Sequence, residues 1–355
     1  MTTRREFFGH TAATVAGIAF VECAMLASIG AQPQPQPPQR RAVVVNGKRV
    51  KTIDVHAHCA VPEAMALIGR KVAPQALVMA PDRIRAMDAQ GIDMEALSIN
   101  PYWYNADRDR AAQIVDLQNT RLAELCAAQP DRFVAFATVA LQYPDLAADQ
   151  LHKAVKKLGL RGALIGGSVN GEELSAEKFR PFWAKAEELG VLIFIHPQGT
   201  AELKGRLGGN GGLENVIGNP LETTIALSHL IFEGTLDRYP GLKILGAHGG
   251  GYLPSYAARS DAGCVTFPAR CTIALKKKPT DYLGDLYFDS LVFTPEALRH
   301  LAAQVGPDRI VMGTDYPYPW TKTAVDHILS TPGLTQDQQI AMLGQTAAGL
   351  LRIKS

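Results

Sequence analysis

Net charge is nearly absent from this 355-residue chain, whose 36 Lys and Arg against 34 Asp and Glu leave only +2. A surface that follows nucleic-acid phosphates needs a clear basic excess, so nucleic acid is excluded as the main partner. No apolar run in the body of the chain is long enough to span a bilayer. No internal repeat is visible either, which leaves one large core rather than an array of small ones. Cysteine is scarce, and the four beyond Cys23 (Cys59, Cys126, Cys264 and Cys271) include no C-x-x-C pair, which excludes a thiolate zinc site. Cys264 and Cys271 are near enough in sequence to pair in an oxidising compartment. Proximity does not establish the geometry, so the expectation is two free thiols. A G-x-G-x-x-G turn is also missing after the first strand-like segment, which argues against a nucleotide-binding open sheet.

What is present is ample apolar material, 47% of the residues, for a single α/β core. The first forty residues stand apart. Arg4-Arg5 precedes a moderately apolar stretch from Thr11 to Ile29, a pattern similar to a twin-arginine export signal. Glu22 within that stretch argues against the alternative, a membrane-anchoring helix. The expected organisation is a signal over 1–31, a Pro/Gln-rich disordered spacer over 32–48, and one catalytic domain over 49–355. Export would place the processed protein in the periplasm without a stable membrane span.

From residue 50 onward, β-rich runs alternate with amphipathic stretches. Strands are predicted at Thr52–His56, Ala96–Asn100, Phe133–Val139, Gly162–Gly166, Val191–His196, Lys243–His248, Leu286–Val292 and Arg309–Gly313. Helices predicted between and after them are punctuated by Pro81 at a start and by Gly91, Gly159 and Gly190 at ends. Eight strands alternating with helices predict a (β/α)8 TIM barrel. Two connections, Ala60 to Ala80 and Gly199 to Asn219, exceed an ordinary loop and are candidates for pocket-building insertions.

A parallel barrel gathers the carboxyl ends of its strands on one rim. His56 and His58 fall at the end of the first strand, His196 at the fifth, His248 at the sixth, and Asp315 just past the eighth. Residues two apart on a strand share a face, so Asp54, His56 and His58 should point inward together. Three imidazoles and a carboxylate suit zinc, or another divalent first-row ion such as Mn(2+), with one position open. The end of the fourth strand, Leu164-Ile165-Gly166-Gly167, contains no lysine.

The segments Ile53-Asp54-Val55-His56-Ala57-His58, Ile195-His196-Pro197, Ala247-His248-Gly249-Gly250-Gly251 and Gly313-Thr314-Asp315-Tyr316-Pro317 resemble marker motifs of the amidohydrolase-2 family, in the metal-dependent hydrolase superfamily. Within it the likeness is to the aminocarboxymuconate-semialdehyde decarboxylase branch, over roughly residues 52 to 350. The resemblance implies His56, His58, His196 and Asp315 as ligands of one metal ion and His248 as catalytic acid/base. It also implies Arg259 as a substrate-carboxylate contact reaching in from a neighbouring subunit of a homodimer. A divalent ion lowers the pKa of bound water from about 15.7 towards about 7, within reach of a histidine near 6.5.

Two departures touch the carboxylate-binding shell. Pro74 takes the place of an arginine that the branch uses, with Arg70 as a substitute if the loop is re-routed, and Gln198 takes the place of a tryptophan. Trp103, after the second strand, is a candidate pocket wall that would touch the substrate. The expected activity is removal of a carboxylate as carbon dioxide from a small aromatic or unsaturated acid. The alternative is hydrolysis of a lactone, ester or amide at the same site.

Overall fold

The computed structural model describes residues 40–73 and 81–354. The expected export signal, the start of the spacer and Pro74 lie outside them. Eight parallel strands form the centre: β1 (Ile53–His58), β2 (Met94–Ser98), β3 (Phe133–Ala135), β4 (Gly162–Gly166), β5 (Leu192–His196), β6 (Lys243–Gly246), β7 (Leu286–Asp289) and β8 (Ile310–Val311). They pair in chain order as a three-stranded and a five-stranded sheet. Bridges at Ala137–Ala163 and Ala57–Tyr316 join the two sheets on both sides, so the ring closes. All eight overlap predicted strands, the second lying two residues earlier than predicted.

A helix follows each strand in turn: α1 (Pro81–Gln90), α2 (Arg108–Ala128), α3 (Pro144–Lys157), α4 (Arg180–Leu189), α5 (Asn219–Phe232), α6 (Leu253–Thr266), α7 (Pro295–Val305) and α8 (Thr346–Leu351). Their starts follow local chemistry. The Asp107 and Thr294 side chains accept N–H bonds at the heads of α2 and α7, while Gly190 ends α4 in the left-handed conformation. Apolar residues divide between two layers. Val134, Leu164, Phe194, Leu245 and Val311 fill the barrel, and Leu350 and Leu351 join them from α8. Leu97, Ile165, Ile193 and Ile244 face the helices instead.

β1 breaks its alternation. Pairing with β2 runs Asp54–Glu95 and then Ala57–Leu97, so Val55 and His56 together oppose one residue. Such a bulge re-aims a side chain beside a site. Here Ile53 and Val55 belong to the inner core, and the extra residue turns His56 and then His58 inward as well. Asp54 therefore does not share their face. Its carboxylate instead accepts from the His56 N–H and from the Thr314 N–H and hydroxyl, tying β1 to the turn that carries Asp315.

Two expectations need correction. The spacer was expected to reach residue 48, yet Val44–Val45 and Lys48–Arg49 form a hairpin. Val43, Val45 and Val50 are buried, and Arg40 and Arg49 reach Asp93. Asn46 and Gly47, both at positive φ, make the tight turn that Asn-Gly favours. Cys264 and Cys271 are not free thiols: they form a disulfide, their Cα atoms 5.5 Å apart, because α6 ends between them and the chain turns back. The glycine run Gly249–Gly251, all at positive φ, makes a tightly packed turn beside His248. A Cβ on Gly251 would lie 2.0 Å from the Pro220 carbonyl oxygen, and one on Gly250 2.6 Å from the Phe288 ring.

Under the rim, Arg83 of α1 is fully buried. It donates to Glu95 of β2 at 2.6 Å and to the His58 carbonyl at 2.9 Å, and it lies over the Tyr316 ring. One buried ion pair thus braces the strand that carries two of the metal-ligand candidates. Removing one partner of such a pair leaves the other charged and desolvated.

Candidate metal centre and active site

β1 delivers His56 and His58, β5 delivers His196, and the turn after β8 delivers Asp315, all buried. Their ligand atoms lie within 4.8 Å of one another. His56 Nε2 is 3.1 Å from His58 Nε2, which is 3.2 Å from His196 Nε2. Asp315 Oδ1 is 3.2 Å from His56 Nε2 and 3.1 Å from His58 Nε2. Ligands about 2.0–2.1 Å from a tetrahedral ion stand roughly 3.4 Å apart, so these spacings suit one ion.

The chemistry of the donors makes the same point. His56 Nδ1 meets Asp289 Oδ2 at 2.7 Å, and His58 Nδ1 meets the Ser98 hydroxyl at 3.0 Å. Those contacts leave both Nε2 atoms facing each other and the other donors, an arrangement that a cation satisfies. Burial alone would lower the His56 pKa, but the Asp315 charge and the Asp289 hydrogen bond raise it to about 10. Burial pushes His58 down to about 4, and burial with the neighbouring imidazoles pushes His196 down as well. Burial works against ionisation of Asp315, yet the His56 charge and the three imidazole contacts hold it ionised. One ring is thus drawn to take up a proton where the others reject it. A metal ion in the same place would serve all four ligands.

Asp289, at the end of β7, is a site residue that the sequence reading missed. Besides His56 it accepts the backbone N–H of His248 at 2.8 Å and of Gly249 at 2.9 Å. A single buried carboxylate therefore orients one metal ligand and fixes the turn carrying the acid/base candidate. No local pattern marks it: the predicted strand Leu286–Val292 has it mid-run, and only the shorter observed strand puts it at the barrel rim. His248 Nε2 stands 3.7 Å from Asp315 Oδ2, and its side chain is 17% exposed, enough to meet a substrate. His248 and Asp315 both adopt positive φ, 54° and 61°. Non-glycine residues rarely do so, and they cluster where surroundings enforce a functional geometry.

Glu222, from Pro220-Leu221-Glu222, accepts the N–H groups of Gln198 and Gly199 and so pins the loop that follows His196. Burial raises its pKa to about 7, with those hydrogen bonds pulling the other way. Gly167 packs on it, a Cβ there falling 2.8 Å from the Glu222 side chain, and no lysine stands at the end of β4.

The expected substrate contacts fare differently. Trp103 is not on the cavity wall: its ring is fully buried and donates to the Val139 carbonyl, while its neighbour Tyr102 lines the cleft. Packing takes the larger, more apolar ring of the pair. Arg259 is exposed on α6 and borders a separate hollow with Phe267 and Arg270, away from this chain's metal rim. Arg70 does reach the cleft, stacked 3.8 Å over Tyr102 in a hollow that includes His58.

Comparison with known proteins agrees with this geometry. The sequence profile of the Amidohydrolase family matches residues 53–353. A 2-amino-3-carboxymuconate-6-semialdehyde decarboxylase of Dictyostelium discoideum is 32% identical over 67% of this chain and 66% of its own length, just under two thirds. A gamma-resorcylate decarboxylase of a Rhizobium species is 34% identical over 66% of this chain and 76% of its own. The solved dihydroxybenzoic acid decarboxylase of a Polaromonas species, holding manganese and the inhibitor 2-nitroresorcinol, is 27% identical with a TM-score of 0.76. That alignment covers 86% of this chain and 97% of the other.

If Asp289 orients His56, Asp289→Asn should weaken metal binding by about 10- to 100-fold, read by competition with a chelator. Unchanged affinity would show that His56 needs no orienting partner.

Proposed function

The chain belongs to the amidohydrolase family, and from that premise we propose that it is a metal-dependent decarboxylase of a small aromatic carboxylic acid. The observation that carries this reading is His248, held beside the His56, His58, His196 and Asp315 cluster and facing a hollow wide enough for a ring. Relatives with this family's fold are decarboxylases by name, which favours loss of carbon dioxide over hydrolysis. We assign one divalent ion to the four ligands. Three imidazoles and one carboxylate favour zinc, and the manganese of the Polaromonas structure supports that metal as the second choice.

Bound there, the ion would act as a Lewis acid on the substrate's carboxylate and neighbouring oxygen. The chain's own residues do the rest. The aromatic acid enters as its carboxylate, its ring against the apolar wall beside His248. His248 gives a proton to the ring carbon that bears the carboxylate. The bond from that carbon to the carboxylate then breaks, its electron pair returns to the ring, and carbon dioxide leaves. Water restores the proton to His248, so one proton is consumed per turnover. Asp289 keeps the His248 turn in place throughout, and Asp54 does the same for the Asp315 turn.

We further propose that the protein is exported to the periplasm and works as a homodimer, Arg259 reaching a substrate carboxylate in the neighbouring copy. Arg4-Arg5 ahead of an apolar stretch and a Cys264–Cys271 disulfide, which persists in oxidising compartments, support export. The exposure of Arg259, away from its own chain's metal rim, supports the second copy.

His248→Ala should keep its metal and lose about two to four orders of magnitude in carbon dioxide release from dihydroxybenzoates and related acids. Full turnover in that variant would remove His248 from the reaction, and ring opening of a lactone without carbon dioxide would select hydrolysis instead. In cell fractionation the protein should appear in the periplasm, sedimenting at the mass of two chains. Arg4→Lys with Arg5→Lys should hold it in the cytoplasm. Periplasmic recovery of that variant, or a monomer only, would contradict the respective assignment.

A further inference from the structure

Three hollows open from the metal rim among the described residues, and the two larger differ in character. One, of about 300 Å3, runs past His58 and Tyr102 and includes the cationic Arg70 and Lys71. The other, of about 410 Å3, opens beside His248 and Asp315. Val216, Tyr252, Leu291, Phe293 and Trp320 wall the second, and no Lys or Arg is among the described residues that line it. Its volume is in the usual range for a small-molecule site.

The wall carries an unusual cost. Phe293 is 59% exposed, Val216 43% and Trp320 42%, so burying them against a ligand would be favourable. Exposed large apolar groups gathered at one mouth mark a place where something apolar binds. Phe293 carries a second sign. Its φ is +51°, a left-handed conformation that bulky aromatics rarely take, and it follows a Val292 N–H bonded to the Ser290 carbonyl. Its ring leans on Trp320 with centroids 5.9 Å apart. Backbone outliers of this kind cluster at functional sites and ligand clamps, and this one sits at the cavity lip. The Tyr252 hydroxyl, 3.5 Å from the Val216 carbonyl, links two further parts of the wall.

We propose that the outer part of this hollow, beyond the space the substrate ring takes beside His248, is a subsite for an uncharged apolar substituent on that ring, an alkyl chain or a second aromatic ring. The identity of the acid core rests on the decarboxylase reading above; the subsite rests on the wall. A carboxylate pressed against the apolar wall would lose its hydration with no Lys or Arg among this chain's described lining residues to meet it. The substrate is thus an aromatic acid with an apolar extension, its reacting carboxylate on the metal side and its extension along this wall.

The test uses the metal-loaded full chain and two probe series. The first is resorcinol with 4- or 5-alkyl groups from none to hexyl, which has no carboxylate to lose, and binding is followed by calorimetry. The second is the corresponding alkyl dihydroxybenzoates, with carbon dioxide release as the readout. Dissociation constants for one positional series should fall about fourfold per added methylene over the first few carbons. Phe293→Asp, at an exposed position, should flatten that slope while circular dichroism stays native. A flat or rising series in the unaltered protein, no binding by any member, or a slope unchanged in Phe293→Asp would overturn the subsite. Graded binding without carbon dioxide release from any acid would leave the subsite standing and refute the decarboxylase reading. Release with no dependence on chain length would do the reverse.

Discussion

His56 Nε2, His58 Nε2 and Asp315 Oδ1 meet at 3.1 to 3.2 Å inside the barrel rim, their residues almost fully buried. Lone pairs that close repel one another unless a cation lies among them, and in a buried site the repulsion is poorly screened. Much of the surrounding structure is explained by the need to keep these groups together. The bulge in β1 turns His56 into the barrel, Asp54 clamps the turn that bears Asp315, and Arg83 braces the carbonyl of His58.

Asp289 links that centre to the chemistry. One of its oxygens faces both His56 Nδ1 and the His248 N–H, and the other accepts from Gly249. The metal ligand and the proton carrier therefore share one anchor, so their relative position cannot drift independently. His248 and Asp315 hold backbone conformations that would relax if free, and residues this constrained need little reorganisation when a substrate arrives. The glycine run after His248 permits this by letting the turn press against Pro220 and Phe288.

The barrel was legible in the sequence because its strands are short apolar runs between strong helix signals. The rim residues were legible because histidines at strand ends converge in any parallel barrel. What escaped depends on contacts far apart in sequence. Parity along β1 placed Asp54 beside His56, and only pairing with β2 reveals the extra residue that separates them. Asp289 and Ser98 look like ordinary polar residues until their strands close next to β1. Between adjacent aromatics, local pattern could not say whether Trp103 or Tyr102 would be drawn into the core. The hairpin at Val44–Arg49 had a local sign in Asn46-Gly47, which the Pro/Gln-rich stretch before it obscured.

The centre of the account is a single divalent ion on which activity depends. The most direct measurement is metal content per chain by elemental analysis, taken alongside carbon dioxide release as the ion is stripped by chelator and returned. The account predicts one ion per chain at full activity, with activity lost and restored in proportion to occupancy. Full activity in protein free of divalent metal, or two ions per chain at full activity, would contradict it.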